Sequence, residues 1–137
     1  MREFRARIRE TLTEVAEAAA AAEALCAEAG ADEEQSLRIG LALDELAANA
    51  LIHGALTEHA PFIEVKVWVE REQLHLTVEA EGPEFDPTNG PTTEIDPSAI
   101  GGRGISLVLG FADKIDYARV GERNVTRFSV SMYGEKA

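Results

Sequence analysis

Apolar and polar residues alternate from the start of the chain, with Phe4, Ala6 and Ile8 set against Arg5 and Arg7, which predicts a short half-buried strand. Thr11 followed by Glu14 predicts a capping box, and the alanine-rich run to about Glu28 predicts a helix that Gly30 stops. Asp32 with Gln35 repeats the capping signal ahead of a second helix reaching about Leu56, bounded by Gly54 and Pro61. Alternation returns over 62–70, with Ile63, Val65, Val67 and Val69 inward, and over 74–80, with Leu74, Leu76, Val78 and Ala80 inward. Arg71-Glu72-Gln73 between them reads as a hairpin turn. Residues 82–104 hold four of the five prolines and five of the eleven glycines, a long irregular loop. A short apolar helix (Ile105 to Phe111) follows, then strands at about 113–119 and 124–133 joined by a turn at Gly121. The order β-α-α-β-β-loop-α-β-β predicts a two-layer α/β sandwich, with helices on one face of a mixed, mostly antiparallel sheet.

The 137 residues fit a single domain spanning 1–137, and 45% hydrophobic residues suffice for a core. Net charge is −12, which repels phosphate backbones and anionic lipid and argues against nucleic acid or membrane surfaces as partners. Cys26 is the only cysteine, so no disulfide forms within one chain, and a lone thiol points to a reducing compartment. Neither the charged start of the chain nor its longest apolar run, Ala18 to Ala22, resembles a signal peptide or a membrane span of about 20 residues. A cytoplasmic location is the expectation.

Three features carry candidate chemistry. At about 100° per residue, Leu37, Leu41, Ala48, Ile52 and Leu56 fall on one stripe of the second helix, and Glu45 and Asn49 fall inside it. Burying a carboxylate and an amide among leucines is costly without partners, so either neighbours satisfy the pair or that face looks onto a cavity. His53 extends the polar row. Gly101-Gly102-Arg103-Gly104 directly precedes the apolar helix, where free backbone amides, a helix N-terminus and a guanidinium suit an anion. A turn at Glu81-Gly82-Pro83-Glu84-Phe85-Asp86 follows Ala80, the last inward residue of its strand.

Together these segments resemble the motifs of GHKL-type ATPases, the Bergerat or histidine-kinase-like ATPase fold. Glu45-x-x-x-Asn49-Ala50-x-x-His53-Gly54 resembles the N-box. The stretch from Val78 to Pro87 resembles the box that reads Val-x-Asp-x-Gly-x-Gly-Phe-Asp. Gly101 to Val108 resembles the last glycine box, with Asp113-Lys-Ile115 as the strand that follows. Size and motif spacing look most like the RsbW/SpoIIAB branch, the anti-sigma factor serine kinases.

The resemblance implies ATP and Mg²⁺ as cofactors, Glu45 as general base and Asn49 as the Mg²⁺ ligand. Gly82, Gly101, Gly102, Arg103 and Gly104 would contact the nucleotide, and the loop over 83–104 would be the ATP lid. The acceptor would be a serine on a STAS-type anti-anti-sigma protein, with a sigma factor as a further partner and a homodimer as the assembly. The middle box departs from the pattern at Ala80, where the family has its adenine-binding aspartate, and at Glu84, where it has a glycine. Ala80 favours an alternative, a degenerate GHKL domain that binds a regulatory partner without ATP turnover.

Overall fold

The structure is a computed structural model that describes residues 3–8, 11–54, 63–88 and 102–134. Its elements are β1 (Glu3–Ile8), α1 (Leu12–Glu28), α2 (Glu33–Gly54), β2 (Ile63–Glu70), β3 (Gln73–Glu81), α3 (Gly102–Phe111), β4 (Lys114–Val120) and β5 (Arg123–Ser131), in the expected order. Thr11 opens α1 through the predicted capping box: its hydroxyl accepts from the Glu14 amide at 3.2 Å, and its own amide donates to the Glu14 carboxylate at 3.0 Å. Caps of this kind contribute about 1 kcal/mol. The helix buries Val15, Ala18, Ala22 and Cys26. Gly40 lets α2 lie close against it, since a Cβ there would sit 3.3 Å from the Ala19 carbonyl.

The rotation of α2 differs from the sequence expectation. Its buried face is Ile39, Ala42, Leu43, Leu46, Ala47 and Leu51, whereas Leu37 and Ile52 of the predicted stripe are 50% and 44% exposed. Those two residues lie on the opposite side of the helix; Leu56 is outside the described residues. The cause is the packing partners: α1 and the sheet need small residues for close approach, so alanines and a glycine mark the inner face as surely as leucines do. Gln35 also departs from its capping role. Its amide donates to the Ser131 carbonyl at 2.8 Å and accepts from Arg38 at 2.8 Å, while the Asp32 carboxylate accepts from the Gly134 amide at 2.8 Å.

The five strands form one sheet in the order β1-β2-β3-β5-β4, and all four pairings are antiparallel, where a mixed sheet was expected. Ile63, Val65 and Val67 face Ala80, Val78 and Leu76 across the β2–β3 pair, in the predicted inward phase. Leu76 in turn faces Phe128 on β5. These side chains and the inner faces of the helices make one core. On the outer face Trp68 stacks on His75 at 4.9 Å, with the Lys66 ammonium 4.8 Å from the Trp68 ring. α3 begins at Gly102 rather than Ile105, so Gly102, Arg103 and Gly104 are its first turn and not a loop before it. First-turn amides have no partner within the helix, which makes glycine tolerable there.

The β2–β3 turn is where sequence and backbone conflict most. Arg71 and Glu72 both have positive φ, 52° and 63°, a left-handed pair that favours Asn-Gly. The Glu72 carbonyl accepts from the Met132 amide at 2.9 Å, which holds the turn against the body of the protein. We expect the double substitution Arg71→Asn/Glu72→Gly to stabilise the fold by about 1–2 kcal/mol. Urea denaturation should show a higher midpoint at an unchanged slope; an unchanged midpoint would mean that the turn carries no such strain.

Candidate functional site

A cleft opens between the second half of α2 and the end of the sheet where β3 leaves it. Leu46 and Ala50 of α2 form one wall, and Val78, Ala80 and Thr126 form the floor. The segment after β3 closes the other side with Pro83, Phe85 and Pro87. Gly82 makes the sharp exit from β3 at φ 147°, a conformation that side chains rarely adopt, and its amide donates to the Glu122 carbonyl at 3.2 Å.

Asn124 organises this end of the sheet. It pairs across β3–β5 with Ala80 and across β4–β5 with Arg119. Its side-chain oxygen accepts from the Tyr117 hydroxyl at 2.6 Å, the Phe85 amide at 3.1 Å and the Arg119 guanidinium at 3.1 Å. Its side-chain nitrogen donates to the Pro83 carbonyl at 2.8 Å, and Arg119 also donates to the Gly82 carbonyl at 2.7 Å. Asp86 caps its own turn by accepting from the amide and hydroxyl of Thr88 at 2.8 and 2.6 Å. The wall over 82–88 is thereby pinned to β4 and β5. Residues 89–101 of the expected lid, Gly101 among them, lie outside the described residues.

Glu45 and Asn49 share a face of α2, each one position before a wall residue and about 100° round the helix from it, so they stand beside the cleft wall and are not among its lining residues. Asn49 is 8% exposed, and its side-chain nitrogen donates to the Glu45 carbonyl at 2.9 Å. That bond leaves the amide oxygen, the kind of hard donor that Mg²⁺ requires, outside the helix's own bonding. Burial pushes the Glu45 carboxyl above its ordinary range, and neighbouring Asp44 pushes it further the same way. Among the described residues no three His, Cys, Asp or Glu side chains converge on a metal position. A lone amide oxygen fits Mg²⁺ that keeps its waters and is carried in by phosphates, the usual habit of that ion.

For Gly102, Arg103 and Gly104 the structure gives the backbone alone, as the N-terminal turn of α3. Gly82 lines the cleft, and Ala80 lies on its floor at 6% exposure, with no carboxylate at that position. Glu79 is turned to the outer face, where Arg123 holds it at 3.0 Å, and Glu84 is exposed. Tyr117, Arg119, Asn124 and Thr126 are the residues that the sequence reading missed. The signal was present: they occupy the inward phase of β4 and β5, continuing Ile115 and Phe128, so polar side chains interrupt an apolar period there too.

Several solved structures share the architecture. A histidine kinase domain from the Erythrobacter litoralis blue-light activated histidine kinase superposes with a TM-score of 0.59 at 19% identity, covering 88% of this chain and 60% of that one. The longer Erythrobacter litoralis structure gives 0.61 at 18% identity, with 86% of this chain and 42% of that one covered. This chain thus spans about half the length of those two relatives. The catalytic domain of the histidine kinase ThkA, in a nucleotide-free form, gives 0.55 at 13% identity and is matched over 99% of its length by 94% of this chain. At these identities the likeness establishes the fold. No curated protein matches the sequence. The model of the histidine kinase-like ATPase domain matches residues 8–130, from the end of β1 to the end of β5, and the chain belongs to that family.

Proposed function

We propose that the protein is an RsbW-like regulator, a serine kinase of a STAS-type anti-anti-sigma partner that also acts as an anti-sigma factor. The observation that carries the reading is the Glu45–Asn49 pair, half-buried and buried respectively, on one face of the helix that also supplies the cleft wall. ATP would supply the transferable phosphoryl group, with Mg²⁺ as its counter-ion. Asn49 would hold the metal through its side-chain oxygen. Glu45 would accept the proton of the partner's serine hydroxyl, and its raised pKa makes it the stronger base for that task. The first-turn amides of α3 would face phosphate oxygens. A sigma factor and a second copy of the chain are the further partners of this reading.

Ala80 favours a second reading, a domain that binds a regulatory partner without turnover. The floor of the cleft lacks a carboxylate there, and the Asn124 amide directly across is already occupied by four neighbours. Weak or absent nucleotide binding would support this reading over the first.

Asn49→Ala should abolish the Mg²⁺-dependent part of ATP affinity and leave the circular dichroism spectrum unchanged. Calorimetry with and without Mg²⁺ checks this, and equal affinity in both proteins would remove Asn49 from the metal role. Ala80→Asp should tighten ATP binding about tenfold to a hundredfold, the worth of one hydrogen bond to a charged acceptor, and raise the ATP-to-GTP preference. An unchanged ratio would mean that the base does not sit over residue 80. Glu45→Gln should keep most nucleotide affinity and lower single-turnover transfer to a STAS-type substrate by about 10²–10⁴-fold. A loss under about tenfold would make Glu45 an orienting group rather than the base.

A further inference from the structure

Helix α2 carries a second apolar row opposite its buried face. Leu37 and Ile52 are 50% and 44% exposed, and Leu41 and Ala48 between them are half-buried. Spacings of four and seven residues put all four on one stripe, about 22 Å long at 1.5 Å per residue. The cleft-lining Leu46 and Ala50 lie about half a turn away on the same helix. Leu107, 58% exposed, adds apolar surface on α3, which packs beside α2. Scattered exposed leucines are ordinary. A periodic row on a helix whose other face already fills the core is not: Ala48 touches the edge of the core, but Leu37 and Ile52 add nothing to it.

Charge narrows what could cover the row. The three helices carry eight acidic residues and two basic ones, whereas the five strands carry six acidic and seven basic. Of the two layers, the helical one is therefore the negative one. Arg38, the basic residue of α2, is held by Glu34 at 2.9 Å and by Gln35 at 2.8 Å. Glu33, Asp44 and Glu45 flank the row. A second copy placed there would oppose acid to acid, and an anionic lipid surface would meet the same repulsion.

We propose that the Leu37–Ile52 row docks a basic amphipathic helix of a partner protein. The partner helix is about 15 residues long, lays its apolar stripe along the row, and sets Lys or Arg against Glu33, Glu34 and Asp44. None of Leu37, Leu41, Ala48 and Ile52 lines the cleft, and the contact needs no nucleotide, although Glu45 lies between the two surfaces.

The test uses two labelled synthetic peptides of about 16 residues with the same Leu and Lys composition, one with leucines at helical spacing and one scrambled, titrated by fluorescence anisotropy at about 0.15 M salt. The comparison protein is Leu37→Ser/Ile52→Ser, which keeps the net charge and changes two exposed positions, with circular dichroism to confirm its fold. The amphipathic peptide should bind the wild type, and its affinity should fall at least about tenfold for the double variant and for the scrambled sequence. Equal binding of both peptides, or of both proteins, would show a general attraction of charge and overturn the proposal. No binding of either peptide would overturn it as well. So would self-association of the wild type, seen by sedimentation and lost in the variant, which would give the row to a second copy.

Discussion

Ile39, Leu43, Leu46, Ala47 and Leu51 remove one side of α2 from water almost completely, against α1 and against the sheet. Each large side chain among them contributes about 1.5–3 kcal/mol by burial. Gly40 then lets the helix approach α1 to within van der Waals distance. The rotation of α2 about its axis is therefore fixed by packing, and every other property of the helix follows from that rotation. With the inner side settled, Leu46 and Ala50 must form the cleft wall, Glu45 and Asn49 must stand beside it, and Leu37 and Ile52 must face water. Turning the helix to bury Leu37 and Ile52 instead would carry Leu46 and Ala50 away from the cleft wall.

Strand β5 links the two ends of the molecule. At its start, Asn124 gathers β4 and the segment after β3 around one amide. At its end, the Ser131 carbonyl receives Gln35 of α2, the Ser131 amide donates to Asp113, and Met132 bonds to both Asp32 and Glu72. The strand is central in the sheet, between β3 and β4. It thus sets the position of the α2 N-terminus and that of the cleft wall from a single rigid element, which suits a site built from groups on different elements.

The strands and α1 were legible because their signals are local: alternation for β2 and β3, and a capping box for α1. The face of α2 was not, because Ile39, Leu43, Leu46 and Leu51 recur at helical spacing just as Leu37, Leu41 and Ile52 do, and only packing against α1 and the sheet decides which row is inward. The start of α3 was hidden by Gly102 and Gly104, which read as loop residues but occupy a first turn where their cost is small. The N-box pair could be found from its polarity. Tyr117, Arg119 and Asn124 meet across the local β4–β5 hairpin, but their grip on Gly82, Pro83 and Phe85 could not be foreseen, because it depends on β5 inserting between β3 and β4, and β3 and β5 are far apart in sequence.

The single thiol offers a natural clock. Cys26 lies on the inner side of α1 with no exposed surface, and burial pushes its pKa up to about 12. In that state almost none of it is thiolate near neutral pH, and no reagent reaches it. Separation of α1 from the core would return it to the ordinary thiol range and to solvent together. The speed of its alkylation in native buffer would then measure how often α1 lifts off, with no label introduced and no background from any other cysteine in the chain.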